Sequence, residues 1–211
     1  MNDSLLIKCI RFACDAVHIG TSATAMTTIN TQGGDDFVFI SSEANEDALT
    51  SRTIDHLLGW LDYVEYDLTI NTDVGRHRLL FSDERSKIVK GRSSPDKPMT
   101  LRNNSLTDIH EDVGDIFFNT KGNWSAGVDL WLGEGSDRLD VLSVPSNPDG
   151  SPFRTTTSVH AGHGNDHLTV SLDTTTHHGV VFVANGQFDD DIINCSQSSH
   201  PVILFGGRGE I

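Results

Sequence analysis

Four short loops bring glycines together with an acid: Gly133-Glu134-Gly135-Ser136-Asp137, Gly162-His163-Gly164-Asn165-Asp166, Gly33-Gly34-Asp35-Asp36, and the run from Gly186 to Asp190. Carboxylates are hard oxygen donors, and glycines let neighbouring backbone carbonyls turn toward the same point. Residues of those types suit a cation. If such loops stack on neighbouring β-strands about 4.8 Å apart, two ionised carboxylates repel by about 3 kcal/mol at an effective dielectric of about 20. A ladder of such pairs calls for an ion between them.

The elements that must carry these loops follow from spacing around each acid. Counting from Asp137, the apolar positions are Val128 and Leu130 before it and Leu139 and Val141 after it. The same offsets from Asp166 give Thr157, Val159, Leu168 and Val170, and from Asp36 they give Thr27, Ile29, Val38 and Ile40. From Asp190 they give Val181, Val183, Ile192 and Asn194. His77 takes the acid's place between Leu68, Ile70, Leu79 and Phe81, and Ile211 takes it after Val202 and Leu204. Asp15 fits only downstream, through Val17 and Ile19. Alternate apolar residues on both sides of a glycine-rich turn mean strand, tight corner, strand. The long gaps from Asp36 to His77 and from His77 to Asp137 suggest additional coils in between.

With their following strands, the three strongest loops resemble the nonapeptide repeat of the RTX, or hemolysin-type, calcium-binding β-roll family, G-G-x-G-x-D-x-U-x. The resemblance implies several weakly bound Ca²⁺ ions. Their ligands would be Asp36, Asp137, Asp166 and Asp190, with Asp35 and the carbonyls near Gly34, Gly133, Gly135, Gly162, Gly164 and Gly186. The chain departs from the family at Thr31, Leu132 and Ala161, where the first glycine belongs, and at Phe188. His77 and Ile211 cannot supply the carboxylate. The family's coils are also shorter than these.

Other chemistries have weaker support. His160, His163 and His167 surround one loop, with His177 and His178 nearby, which raises zinc. Asp129, Arg138, Asp140, His167 and Thr169 have outward parity and raise acid–base work on a polysaccharide. Trp60, Trp124 and Trp131 could line a sugar-binding face, or pack beneath a long loop. Cys9, Cys14 and Cys195 match no zinc spacing and read as small buried hydrophobes, with a Cys9–Cys14 bridge as the alternative. A formal charge of −15 disfavours nucleic acid and anionic lipid as partners. No run approaches the length of a membrane-spanning helix. Lys8, Arg11 and Asp15 break the N-terminal apolar stretch as a signal peptide.

The expected fold is all-β: a right-handed parallel β-solenoid with coils of about 21–29 residues. Residues 1–42 would form N-terminal coils, 43–113 irregular coils with insertions, and 114–211 the regular C-terminal coils. Within the middle stretch, Asp47 to Tyr63 reads as a short helix or bulged coil and Glu84 to Pro98 as an exposed loop. The expected function is that of a calcium-binding structural or adhesive module, not an enzyme. It would be part of a larger extracellular or cell-surface protein and stack on neighbouring repeats, with surface polysaccharide as a further partner. The alternative is a polysaccharide-modifying lyase or epimerase, or a carbohydrate-binding β-helix.

Overall fold

A computed structural model describes residues 5–8, 16–19, 25–43, 59–91, 97–147, 152–175 and 179–208. The described residues form strands and turns without helix. Sixteen strands occur: β1 (Leu5–Lys8), β2 (Ala16–Ile19), β3 (Thr27–Asn30), β4 (Phe37–Ile40), β5 (Leu68–Thr72), β6 (Arg76–Ser82), β7 (Met99–Arg102), β8 (Ser105–Thr107), β9 (Ile116–Thr120), β10 (Asn123–Trp131), β11 (Arg138–Val141), β12 (Thr155–His160), β13 (His167–Val170), β14 (Val180–Asn185), β15 (Ile192–Asn194) and β16 (Val202–Phe205). The first sheet has the order β1-β2-β4-β6-β10-β12-β14-β16 and the second β15-β13-β11-β7-β8-β9-β5-β3.

Most neighbours are parallel, and their core-facing side chains stack in rows. One row of the first sheet runs Val38, Leu79, Val128, Thr157, Phe182, Val202; the next runs Ile40, Phe81, Leu130, Val159, Ala184, Leu204. In the second sheet Met99, Leu139, Leu168 and Ile193 align. Phe81 of the first sheet meets Phe118 of the second edge to face, ring centres 5.7 Å apart. Alternation along the strands therefore puts one continuous apolar layer between the two sheets.

The expected right-handed parallel β-solenoid is corrected by this topology. The sheets do not advance strand for strand. β6 and β10 are neighbours in the first sheet, whereas β9, β8 and β7 separate β5 from β11 in the second. β8 runs antiparallel to both of its neighbours, and β1 runs antiparallel to β2. The step between aligned strands is not constant either: it is 41 residues at Asp36–His77, 48 at Asn71–Asn119, 29 at Asp137–Asp166 and 25 at Asp166–Asp191. Asp36 and His77 are thus direct neighbours, with no additional coil between them.

The shared sequence frame also hides a change of phase. Before Asp36 and His77 the chain leaves the second sheet, at β3 and β5; before Asp137 and Asp166 it leaves the first, at β10 and β12. After the β7-β8-β9 insertion the β9–β10 corner still stacks on the β5–β6 corner, through Gly122 N–H to the Asp73 carbonyl, so it is the acid that moves to the next corner, half a circuit on. The acid loops consequently lie on two opposite edges of the body, not on one. The Asp47–Tyr63 expectation falls mostly outside the described residues; Gly59 to Tyr63 is turn and loop. Asp15, Cys9, Cys14, His177, His178 and Ile211 also lie outside them.

Candidate functional site: two files of buried acceptors

On the C-terminal edge the loop acids turn inward. Asp137 and Asp166 are almost fully buried. Asp137 Oδ1 accepts the Lys90 backbone N–H at 2.6 Å, and its Oδ2 accepts that of Gly133 at 3.4 Å. Asp166 Oδ1 accepts the Asp137 N–H at 2.6 Å, and Asp191 Oδ1 accepts the Asp166 N–H at 3.0 Å. Each carboxyl thus satisfies the main chain of the corner before it, a service that a buried amide there requires.

The glycines let these corners lie directly on one another. At Gly162, with φ +93°, a Cβ would stand 2.1 Å from the Gly133 carbonyl oxygen; at Gly164 it would stand 2.5 Å from that of Gly135. Gly162 N–H also donates to Gln187 Oε1, and Gly164 N–H to Asp189 Oδ2. Gly186 is buried beside Asp191.

Burial sets the charge state of this file. It pushes Asp137 up to about 7 against the opposing donation from Lys90 and Gly133. It pushes Asp166 up to about 9, helped by the charges of Asp137 and Asp191. Asp191 is raised as well, again chiefly by burial. Asp166 Oδ2 and Asp191 Oδ2 are buried with no hydrogen-bond partner among the described residues.

Asp190 was expected in this file, but Asp191 occupies the place. His167 aligns with Ile192, so Asp191 is the counterpart of Asp166. The loop from Gly186 carries one extra residue, absorbed by left-handed backbone at Gln187 and Asp189 (φ 67° at both). Asp190 is exposed and uses its N–H to bond Asn165 Oδ1. Ile192 consequently faces solvent, while Ile193 packs on the core.

The N-terminal edge does the same job with different chemistry. Asp36 is buried, and Thr31 Oγ–H donates to its Oδ2 at 2.5 Å. The Asp36 N–H donates to His77 Nδ1 at 3.1 Å, and His77 Nε2 lies 2.9 Å from the Asp73 carbonyl oxygen. The same Nδ1 also lies 3.1 Å from Asp36 Oδ2, so the imidazole ties both the amide and the carboxyl of Asp36 to the next corner. Asp35 is exposed and accepts the Arg76 N–H; Gly34 N–H bonds the Val74 carbonyl.

A third cluster, not anticipated from the sequence, joins the head of the C-terminal file. The Lys90 side chain is fully buried, and its Nζ contacts Asp62 Oδ1 and lies 3.3 Å from Asp83 Oδ2. Asp83 is also fully enclosed; its Oδ1 accepts the Leu61 N–H at 2.7 Å. Burial raises Asp83 to about 7 despite the opposing charge of Lys90. Ser86 Oγ–H donates to Asp62 Oδ2 at 3.2 Å. The charged stretch from Glu84 reads as an exposed loop, yet it folds Ser86 and Lys90 inward.

The structure brings part of the acid–base set together: Arg138 aligns with His167 and Asp140 with Thr169 on β11 and β13 of the second sheet, whereas Asp129 lies on the outer face of the first. His160 stacks on Trp131 at 3.8 Å, and His163 stacks on Phe188 at 4.2 Å. Burial lowers the His160 pKa. Trp131 packs with Phe39 and Leu80, Trp124 lies in the core against Phe118 and His77, and Trp60 Nε1–H bonds the Arg85 carbonyl. Among the described residues no three His, Cys, Asp or Glu side chains are arranged to hold a metal ion.

Two sequence signals would have pointed to this architecture. Ile29-Asn30-Thr31, Ile70-Asn71-Thr72 and Phe118-Asn119-Thr120 repeat one pattern, and their asparagines form a ladder: Asn71 donates to Asn30 at 2.9 Å and Asn119 to Asn71 at 3.1 Å. The substitution of His for Asp at position 77 preserves an acceptor while discarding a carboxylate. No family model matches the chain, and neither does any curated protein or any solved structure.

Proposed function

We propose that this chain is a structural or adhesive module, a stiff two-sheet body whose corners are fastened from inside by protonatable acids. One observation carries the reading: the file in which Asp137, Asp166 and Asp191 each accept a backbone N–H from the preceding corner. Side chains spent on the main chain hold a scaffold together; they do not present reactive groups to a substrate. The acidic surface keeps such a body soluble and suits an extracellular or cell-surface setting.

A calcium-bound form is the second reading, favoured by the unpartnered Oδ2 atoms of Asp166 and Asp191. A proton or a cation can neutralise that pair, and the two differ in their response to pH. Thermal melting at about pH 5 and about pH 9, with excess calcium or excess chelator, separates them. The structural reading expects the lower melting temperature at high pH in chelator. Recovery on adding calcium supports the ion; an unchanged curve in both media removes it. A melting temperature that rises toward pH 9 in chelator would overturn the acid-fastened scaffold itself.

A further inference from the structure

The buried cluster at Lys90 has the composition of a self-reacting site. A fully enclosed lysine is rare, because burying an ammonium costs several kcal/mol even when it is paired. Here the Nζ touches the Asp62 carboxyl and lies 3.3 Å from a second, fully enclosed carboxyl, that of Asp83. Asp83 Oδ2 has no hydrogen-bond partner among the described residues, so its interaction is directed at this nitrogen. The Ser86 hydroxyl bonds the other Asp62 oxygen. Nucleophile, electrophile, proton carrier and oxyanion donor therefore meet in one place.

We propose that Lys90 and Asp62 condense to an intramolecular isopeptide bond, with Asp83 carrying the protons. This deepens the structural reading, on which it rests only for its biological purpose. Asp83 takes a proton from the Lys90 ammonium and passes it to the Asp62 carboxylate, leaving a neutral amine against a neutral acid. The nitrogen lone pair attacks Asp62 Cγ, and the Ser86 hydroxyl steadies the oxygen that gains charge. The second proton leaves the nitrogen through Asp83 and joins the departing hydroxyl. An N–C bond forms, a C–O bond breaks, and one water is released; no oxidant or cofactor is required. Enclosure favours the product, since an amide escapes the desolvation penalty borne by the two ions.

The bond would tie the loop between β4 and β5 to the loop between β6 and β7. It would also fix the first rung of the C-terminal file. The Lys90 N–H is bonded to Asp137, and its carbonyl accepts the Arg138 N–H at 3.0 Å. A covalent clasp at that point suits a body that must resist unfolding.

The test is the intact mass of the folded, purified chain after denaturation. The expected result is a mass lower by one water than the sequence requires, with a protease-resistant link between the peptides that contain Asp62 and Lys90. Lys90→Arg and Asp62→Ala should each restore the full mass. Asp83→Asn should restore it too, although both bonding residues remain. A wild-type chain at full mass overturns the proposal, and so does a water loss that persists in Lys90→Arg. A loss that persists in Asp83→Asn overturns the role given to Asp83. Melting under calcium or chelator is independent of this readout, so the scaffold reading and the isopeptide can fail separately.

Discussion

The two edges of the molecule solve one problem with different side chains. At the N-terminal edge an imidazole, His77, meets the Asp36 N–H; at the C-terminal edge the carboxyls of Asp137, Asp166 and Asp191 accept such amides in succession. The position therefore selects a compact acceptor for a buried amide. Negative charge is incidental to it, and burial even works against that charge by raising Asp137 to about 7 and Asp166 to about 9.

The largest expected effect removes the close stacking of the corners. Gly162→Ala puts a methyl group 2.1 Å from the Gly133 carbonyl oxygen, on a residue with φ +93°. The corner must open, at a cost of about 3 kcal/mol or more, read from chemical denaturation. At the other edge Gly75→Ala meets the Gly34 carbonyl at 2.0 Å and should cost a similar amount. A tolerated alanine at one edge alone would show that the two corners are not built alike.

Next comes removal of the acceptors. Asp166→Leu leaves the Asp137 N–H buried and unpaired, and His77→Leu does the same to Asp36 N–H. Each should lose about 1–3 kcal/mol by denaturant unfolding. Asp166→Asn keeps an acceptor oxygen and should lose much less. If Asn proves as damaging as Leu, charge matters at this position and the equivalence of the edges breaks.

The sequence disclosed part of this body and concealed the rest for physical reasons. Alternation around Asp137 and Asp166 located β10 to β13 correctly, because a two-residue period survives whichever sheet the strand joins. The sheet itself was not legible, since the same period serves both, so the move of the acid from one edge to the other left no mark in the spacing. Glycines marked the tight corners at Gly133 and Gly162. The direction of the carboxyls was not marked: an outward ligand and an inward amide acceptor have the same residue type. Asp190 and Asp191 could not be ranked because the extra residue is absorbed by φ angles at Gln187 and Asp189. The Lys90 cluster was hidden in a segment polar enough to read as solvated.

A smaller effect tests the charge state. A carboxyl whose folded pKa is raised binds protons on folding, so its contribution is fully present below about pH 4 and lost as pH rises through the folded value. For this protein the loss should run through about 7 for Asp83 and Asp137 and continue to about 9 for Asp166. Melting temperature in chelator should fall across that window. Asp166→Asn, which cannot ionise, should flatten the upper part of the decline. A decline that keeps its full slope in Asp166→Asn would assign the high-pH loss to another group.

The smallest effect lies at the junction of the two halves, on the outer face where β6 meets β10. Arg78 Nη2 donates to Asp129 Oδ2 at 3.0 Å, with the guanidinium half exposed. The Arg78 guanidinium also lies 5.6 Å from the Phe37 ring, and Asp129 Oδ1 accepts the Ser158 hydroxyl at 2.8 Å. Single alanine substitutions therefore remove more than the pair itself. A double-mutant cycle on Arg78→Ala and Asp129→Ala isolates the coupling, expected at about 0.2–1 kcal/mol and weakened by salt. A coupling well above that range, insensitive to salt, would mean that the halves are joined by this surface pair as well as by the apolar rows of Leu79 and Val128. A coupling near zero would leave the join to those rows and to the parallel hydrogen bonds between β6 and β10.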